Sequence, residues 1–180
     1  MKQLWAPWRM PYLKNSQSKG CIFCTKTRQN HDRSNLILYR GRHAFVMMNL
    51  YPYSNGHLLI SPYSHVGSIE DLDPTTLTDL MRTAQHALRA LRLVFKPNAF
   101  NLGINQGREA GAGIESHVHL HIVPRWNGDT NFMPVLTDTR VIPEHLESSY
   151  DKLLPLFQTV RRTAGARRRA KARKRSRVKQ

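Results

Sequence analysis

Three histidines, His117, His119 and His121, occupy alternate positions near the middle of the chain. A β-strand points successive side chains to opposite faces, so a strand here is expected to place all three imidazoles on one face and the apolar residues Val118 and Leu120 behind them. Neighbouring imidazoles on such a face lie roughly 6.5–7 Å apart. One ring can then react with a substrate while its neighbours orient it, donate hydrogen bonds or ligate a metal.

Length and hydrophobic pattern favour one cytoplasmic domain. The chain has 180 residues, of which 40% are hydrophobic, which is enough for a single well-buried core. No apolar run approaches the roughly 20 residues that cross a bilayer, and the N-terminus lacks the apolar core of a signal peptide. These features predict no membrane association.

The positive charge is concentrated in the tail, residues 161–180. The chain has a net charge of +16, and the tail holds eleven Lys and Arg and no acid. Removing those eleven from 28 basic residues leaves 17 against 12 acidic residues, a net charge of +5 for residues 1–160. Such a tail has few apolar residues to bury and its like charges repel, so it is expected to be disordered. The same charge attracts polyanions. It either solubilises the protein or makes weak contact with RNA or the ribosome.

Short apolar runs separated by turn residues predict a sheet. The runs at residues 36–39, 44–48 and 57–60 indicate an antiparallel meander, and residues 99–104 and the histidine run supply two further strands. Residues 1–35, rich in Trp, Pro, Asn, Ser and charge, are expected to form an irregular arm.

One long helix is expected to cover this sheet. Asp73 suits an N-cap and Pro74 the first helical position, and apolar residues then recur at helical spacing up to Phe95. A second helical stretch is predicted from Pro143 to about residue 160, with an interruption at Pro155. The predicted fold is α+β, a five-stranded antiparallel sheet with a long helix across it and a C-terminal helical segment. The predicted divisions are an arm, 1–35, a catalytic domain, 36–160, and the tail.

A glycine-rich loop, residues 105–113, directly precedes the histidine run. Its glycines permit backbone conformations that aim N–H groups at anionic oxygens. A hairpin connection also needs glycine, but the junction with three histidines favours a phosphate site.

The order of strand, glycine-rich loop and H-x-H-x-H resembles the histidine triad family of nucleotidyl hydrolases and transferases. The resemblance covers roughly residues 4–160. The family's upstream segment is similar to Asn49-Leu-Tyr-Pro-Tyr-Ser-Asn-Gly-His-Leu-Leu-Ile60. Four further segments are similar in particular to the bacterial branch that includes diadenosine tetraphosphate phosphorylases: Trp5-Ala-Pro-Trp-Arg9, Gly20-Cys-Ile-Phe-Cys24, Asn101-Leu-Gly-Ile-Asn-Gln-Gly107 and Pro124-Arg-Trp-Asn-Gly-Asp129.

The resemblance implies covalent nucleotidyl transfer. The middle histidine, His119, is the implied nucleophile, and His121 and His57 match positions that hydrogen-bond around the scissile phosphate. Asn49 matches a ribose contact, with apolar residues near Phe45 and Met47 lining a base pocket. Trp126 either stacks on a base or packs. The catalytic set is completed by His117 and Ser116, and the remaining nucleotide-binding candidates are Asn105, Gln106, Gly111 and Gly113.

A metal site is a separate question. Cys21 and Cys24 form a C-x-x-C pair, which in a reducing compartment indicates metal ligation or redox chemistry. Zinc-containing members of the family have a similar arrangement of ligands. The resemblance implies a Cys2His2 set that His65 and His117 complete, and such a site would be structural. The alternative is a reduced thiol pair and two unrelated histidines.

Several functions remain open at this stage. The resemblance implies an enzyme acting on dinucleoside polyphosphates, adenine-containing ones preferred, with inorganic phosphate as acceptor. Family members usually dimerise, so a homodimer is expected. The alternatives are a hydrolase of dinucleoside polyphosphates or nucleoside phosphoramidates, a nucleic-acid-binding factor acting through the tail, and a catalytic metal held jointly by the three histidines.

Overall fold

The structure is a computed structural model that describes residues 20–129 and 144–159. The elements follow in the order α1 (Ile22–Arg28), β1 (Ile37–Arg40), β2 (Ala44–Met48), β3 (Leu58–Pro62), a 3₁₀ turn (Ile69–Asp71), α2 (Pro74–Phe95), β4 (Ala99–Ile104), β5 (Leu120–Arg125) and α3 (residues 146–159).

The five strands form one antiparallel sheet in the order β1-β2-β3-β5-β4. The first three strands make the expected meander, and β5 lies between β3 and β4. The interior strand β5 therefore carries His121, the last histidine of the run. The predicted five-stranded antiparallel fold is confirmed.

Helix α2 covers one face of the sheet. The Asp73 carboxylate accepts hydrogen bonds from the backbone N–H groups of Thr75 and Thr76, and Lys96 closes the helix in the left-handed conformation. This helix confirms the predicted bounds. Its apolar side packs with residues of β2, β3 and β5 in the main core, which includes Val46, Ile60, Leu80, Ala84, Leu91, Leu120 and Ile122.

The opposite face of the sheet carries a second, smaller apolar cluster around Phe23 of α1. The arm was expected to be irregular, and this is wrong for residues 22–28. They form a helix because the Phe23 side chain is fully buried against the sheet and the basic Lys26 and Arg28 lie in the last turn, where they favour a helix C-terminus. Phe45 and Met47 are also buried in this cluster, and the base pocket expected near them stays a prediction.

Strand β5 begins at Leu120, later than the alternation of histidines predicts. Leu58, Leu59 and Ile60 pair with Ile122, His121 and Leu120, and the same register would place Pro62 opposite Val118. Pro62 has no N–H to donate, so the ladder ends. The Val118 carbonyl instead accepts the Ser61 hydroxyl at 3.0 Å. His117 and His119 thus precede the strand.

Helix α3 packs against the main core through Tyr150, Leu153 and Phe157. It continues through Pro155, so the predicted interruption is wrong. Proline lacks the N–H that would reach back to Asp151, and the cost of that one lost bond is met by the burial of the apolar side.

Two polar contacts also join α3 and the residues before it to the rest of the chain. The Ser149 hydroxyl donates to Glu144 and lies 3.2 Å from the Asn55 amide oxygen, and the Tyr150 hydroxyl donates to the Ile37 carbonyl at 3.0 Å. The first contact holds the loop that precedes β3.

Several sequence predictions fall outside the described residues. These are the tryptophans of residues 1–19, the helix start at Pro143 and the basic tail. In residues 20–129 and 144–159, no helix combines the length and the apolar character needed to cross a bilayer.

Gly56 allows the chain to turn into β3. Its φ is +72°, and an added Cβ would lie 2.9 Å from the Phe95 ring and 3.1 Å from Leu91. We expect Gly56→Ala to lower the free energy of unfolding by about 1–3 kcal/mol, measured by urea denaturation. In the matched control Gly103→Ala the added Cβ meets nothing within 4 Å, so stability should not fall. Equal loss in both variants would contradict this account.

Candidate functional site

Four imidazoles lie together at the junction of β3 and β5. His57 immediately precedes β3, and its ring centroid is 5.2 Å from that of His121. The His119 and His121 rings are 4.9 Å apart, closer than ideal strand spacing, because His119 lies outside the regular ladder. His57, His117 and His119 are buried, and His121 is partly exposed.

The His119 ring has one nitrogen free of the backbone. Its Nδ1 lies 2.9 Å from the His117 carbonyl oxygen, which can only accept, so Nδ1 carries the proton. The lone pair is then on Nε2. Burial lowers the pKa of His119, which keeps the ring neutral. A neutral imidazole with a fixed Nε2 lone pair is suited to act as a nucleophile.

His57 and His121 are also held in single tautomers. The His57 Nδ1 accepts the Tyr53 backbone N–H at 3.0 Å, so its proton is on Nε2. That Nε2 is 3.0 Å from the His121 Nδ1, which therefore accepts. The remaining His121 proton lies on Nε2. His121 thus carries a hydrogen-bond donor on the ring nitrogen that does not contact His57.

Both rings are neutral at physiological pH. Burial, with smaller contributions from the nearby His121 and His119, lowers the pKa of His57 to about 3. Burial likewise lowers the pKa of His121 to about 4, with a smaller contribution from His119. Neither ring is a ready source of a proton, so each is limited to hydrogen bonding near pH 7.

Asn49 contacts the His57 ring. Its Oδ1 accepts the Tyr51 N–H at 3.0 Å, so the amide nitrogen is the atom that lies 3.3 Å from the His57 Nδ1. The side chain predicted to meet a ribose is therefore placed beside His57.

The predicted metal ligands Cys21, Cys24, His65 and His117 converge, with ligand atoms all within 4.8 Å of one another. The His117 Nδ1 is 3.2 Å from the Cys21 Sγ and 3.3 Å from the His65 Nδ1. A tetrahedron with zinc bond lengths has S···N edges of roughly 3.6 Å and an N···N edge of roughly 3.3 Å. The His117 Nε2 donates to the Pro62 carbonyl at 3.0 Å, so its lone pair faces the cluster. The donor set and its spacing are compatible with zinc.

Phe23 links this cluster to the reactive ring. It lies between the two cysteines in the sequence, and its ring centroid is 5.1 Å from that of His117 and 4.9 Å from that of His119. No sequence prediction assigned Phe23 a role at the site. A large apolar residue inside C-x-x-C was the available signal.

The glycine-rich loop has the expected backbone character in part. Gly107 and Gly111 have positive φ, whereas Gly113 is not among the described glycines that do. The Gln106 Oε1 accepts the Ile69 N–H at 3.1 Å, which leaves its amide N–H groups to face elsewhere. Gln106 and Ser116 are exposed, and their predicted contact with an anion stays a prediction.

A cavity of about 270 Å³ opens beside His121. Asn105 lines it, as do Asn101 and Arg125. Tyr53 forms another wall, and its ring is nearly parallel to that of His121 at 5.9 Å. Tyr53 was also missed from the sequence, where it stands two residues after another tyrosine and has no distinguishing motif of its own.

Trp126 lies against α2. Its indole Nε1 donates to the Phe95 carbonyl at 3.2 Å, and it is not among the residues that line the cavity. Of the two roles left open by the sequence, the structure shows packing, and stacking on a base stays a prediction.

The low pKa values of His57 and His121 make stability depend on pH. An unfolded histidine titrates at about 6.5, so the unfolded chain takes up protons first as pH falls. The stability involved is fully present above about pH 6.5 and is lost towards the folded pKa values of about 3 and about 4. For His57 we expect up to about 1.4 kcal/mol per pH unit, and less for the partly exposed His121.

Urea unfolding between pH 7.5 and 4.5 measures this slope. His57→Gln should flatten the dependence, whereas the control His31→Gln, at an exposed position, should leave it unchanged. Equal slopes in wild type and His57→Gln would contradict the assignment of buried neutral rings.

The chain is similar to known proteins over most of its length. It is 37% identical over 157 residues to AP-4-A phosphorylase of Mycobacterium tuberculosis, covering 83% of this chain and 80% of that protein. It is 32% identical to the asymmetrical bis(5'-nucleosyl)-tetraphosphatase of Schizosaccharomyces pombe, covering 68% of this chain and 64% of that protein.

A solved structure and a family model agree with these relatives. The structure of a Zn-bound histidine triad family protein from Mycobacterium smegmatis superposes with a TM-score of 0.61 at 27% identity, covering 82% of this chain and 99% of that one. The HIT domain model matches residues 30–128. The chain therefore belongs to the HIT family, the histidine triad proteins.

Proposed function

We propose that this protein is a nucleotidyltransferase that cleaves dinucleoside polyphosphates through a nucleotidyl group bound to His119. The observation that carries the proposal is the His119 ring, whose Nδ1 is bonded to the His117 carbonyl and whose Nε2 lone pair is free to react. The similarity to AP-4-A phosphorylase and to a tetraphosphatase gives the substrate class.

In the first step the His119 Nε2 attacks the α-phosphorus of diadenosine tetraphosphate. A nitrogen–phosphorus bond forms, the bond to the bridging oxygen breaks, and ATP leaves with the electron pair. The ring gains positive charge. The His117 carbonyl that accepts the Nδ1–H stabilises this charge.

His121 acts on the leaving group as a hydrogen-bond donor. Its Nε2–H faces away from His57, and it can bond the oxygen on which charge accumulates. A full proton transfer is not required, because a terminal phosphate has a pKa of about 6 and leaves as an anion.

In the second step inorganic phosphate takes the nucleotidyl group. A phosphate oxygen attacks the phosphorus, the bond to His119 breaks, and ADP is released with the ring again neutral. Gln106, Gly113 and Ser116 are proposed to donate hydrogen bonds to phosphate oxygens, and Asn105 and Gly111 to complete the nucleotide site. Water as acceptor would give AMP instead, which is the hydrolase alternative.

Product analysis with phosphate varied tests the acceptor. With diadenosine tetraphosphate and phosphate we expect ADP and ATP, and turnover should fall at least tenfold when phosphate is omitted. Equal formation of AMP and ATP without phosphate would contradict phosphorolysis and favour the hydrolase. Faster cleavage of a nucleoside phosphoramidate than of the dinucleotide would make nucleoside phosphoramidates the substrate class.

The variant His119→Asn tests the nucleophile in the same assay. We expect activity to fall by about 10⁴-fold or more, because the covalent route is lost. His86→Asn, on the far helix α2, is the matched control and should retain full activity. Persistent turnover in His119→Asn would contradict the mechanism.

Zinc is proposed as a structural cofactor at the Cys21, Cys24, His65 and His117 cluster. A zinc ion with four protein ligands has no open position, so it supplies a cross-link and no reactive water. It would join α1 to the segment that precedes β5. The donor set and its spacing support this assignment.

We expect about one zinc per chain by elemental analysis and a clear fall in Tm on chelation. His65→Asn should lose the zinc and the chelator response, whereas the control His86→Asn should keep both. A protein purified from zinc-supplemented medium without the metal would contradict the site.

Two other functions have less support. A metal held jointly by the triad is disfavoured because the Nδ1 atoms of His119 and His121 are already hydrogen-bonded, and the His117 Nδ1 faces the cysteines. A nucleic-acid-binding role depends on residues 161–180, which lie outside the described part of the chain.

A further inference from the structure

We propose that Asn49 is a positioning residue, which acts through His57 to keep a proton on the His121 Nε2. The inference rests on the proposed function, because it assigns a purpose to that proton. It gives Asn49 a role other than the ribose contact that its sequence motif implies.

The orientation of the Asn49 amide is fixed by a backbone donor. The Tyr51 N–H must bond an acceptor, so the atom 3.0 Å from it is Oδ1. The other amide atom is then Nδ2, which can only donate, and it lies 3.3 Å from the His57 Nδ1. The amide N–H therefore has an acceptor only when the lone pair of His57 is on Nδ1.

A second donor converges on the same atom. The Tyr53 N–H points at the His57 Nδ1 from 3.0 Å. The loop between Asn49 and His57 is closed at its ends by the Asn49 N–H, which donates to the His57 carbonyl at 3.0 Å. The turn thus directs two N–H donors at the lone pair of the His57 Nδ1. A proton on that nitrogen would lie against both donors, which disfavours it.

The consequence passes along one hydrogen bond to the reactive side. With Nδ1 occupied as an acceptor, the His57 proton is on Nε2 and is donated to the His121 Nδ1. The His121 proton is then on Nε2. His57 has no exposed surface, so water cannot replace a lost donor, and the two rings must respond together.

Asn49→Asp replaces the donor that faces the His57 Nδ1 with an acceptor and changes the shape of the side chain little. The carboxylate keeps an acceptor for the Tyr51 N–H but presents a second acceptor to the His57 Nδ1, in competition with the Tyr53 N–H that still points at this atom. We therefore expect the His57 proton to be shared between its two ring nitrogens. NMR of the ring nitrogens reads its position directly. We expect kcat for the dinucleotide to fall by about 10²-fold, with KM changed less than about threefold.

Asn98→Asp is the matched control. The Asn98 Oδ1 accepts the Asn127 N–H in an exposed turn, so a carboxylate adds the same charge and keeps the same bond. We expect this variant to leave both kcat and the His57 proton unchanged. Thermal unfolding of each variant shows that it is folded.

Each of four outcomes would overturn the inference. These are a proton on the His57 Nδ1 in the wild type, an Asn49→Asp protein with His57 unchanged, a moved proton with unchanged kcat, and a raised KM with unchanged kcat, which would leave only a ribose contact. The NMR readout needs no substrate. If the wild type does not turn over dinucleotides, the proposed function fails while the positions of the protons still test Asn49.

Discussion

Each imidazole of the site has one nitrogen committed to a hydrogen bond within the protein, and the rest of the site depends on this. The His119 Nδ1 and His117 Nε2 donate to backbone carbonyls, the His57 Nδ1 accepts a backbone N–H, and the His121 Nδ1 accepts from His57. Four chemically identical side chains thereby present different atoms, which suits them to the four proposed roles of nucleophile, metal ligand, hydrogen-bond donor and support. Backbone geometry, not residue type, separates them.

His117 contacts both the cysteines and His119. The His117 side chain faces the cysteines, while its carbonyl accepts the proton of His119. The Phe23 ring also contacts both imidazoles, His117 and His119. The arrangement of the Cys and His cluster is thereby linked to the orientation of the His119 ring, and the seven-residue α1 forms part of the site.

Much of the fold was accessible from local patterns. Short apolar runs separated by turn residues identified the strands, and Asp73-Pro74 located the start of α2. The start of β5 could not be predicted, because it depends on which residue lies opposite Val118 in the neighbouring strand. That residue is Pro62, 56 positions earlier in the sequence. Helix α1 was missed because its formation depends on burial of Phe23. At the site the histidine types were predictable, whereas Tyr53 and the orientation of Asn49 required the tertiary structure.

Helix α3 lies beyond the residues that the family model matches, 30–128, yet it fills part of the core with Tyr150, Leu153 and Phe157. Its Ser149 also contacts Asn55, two residues before His57. A fragment cut at the bounds of the family model would lose those side chains, expose the core residues that they cover and release the loop. The unit of folding is therefore longer than the segment that the family model matches, and changes in α3 can alter the histidine cluster through a loop that they contact.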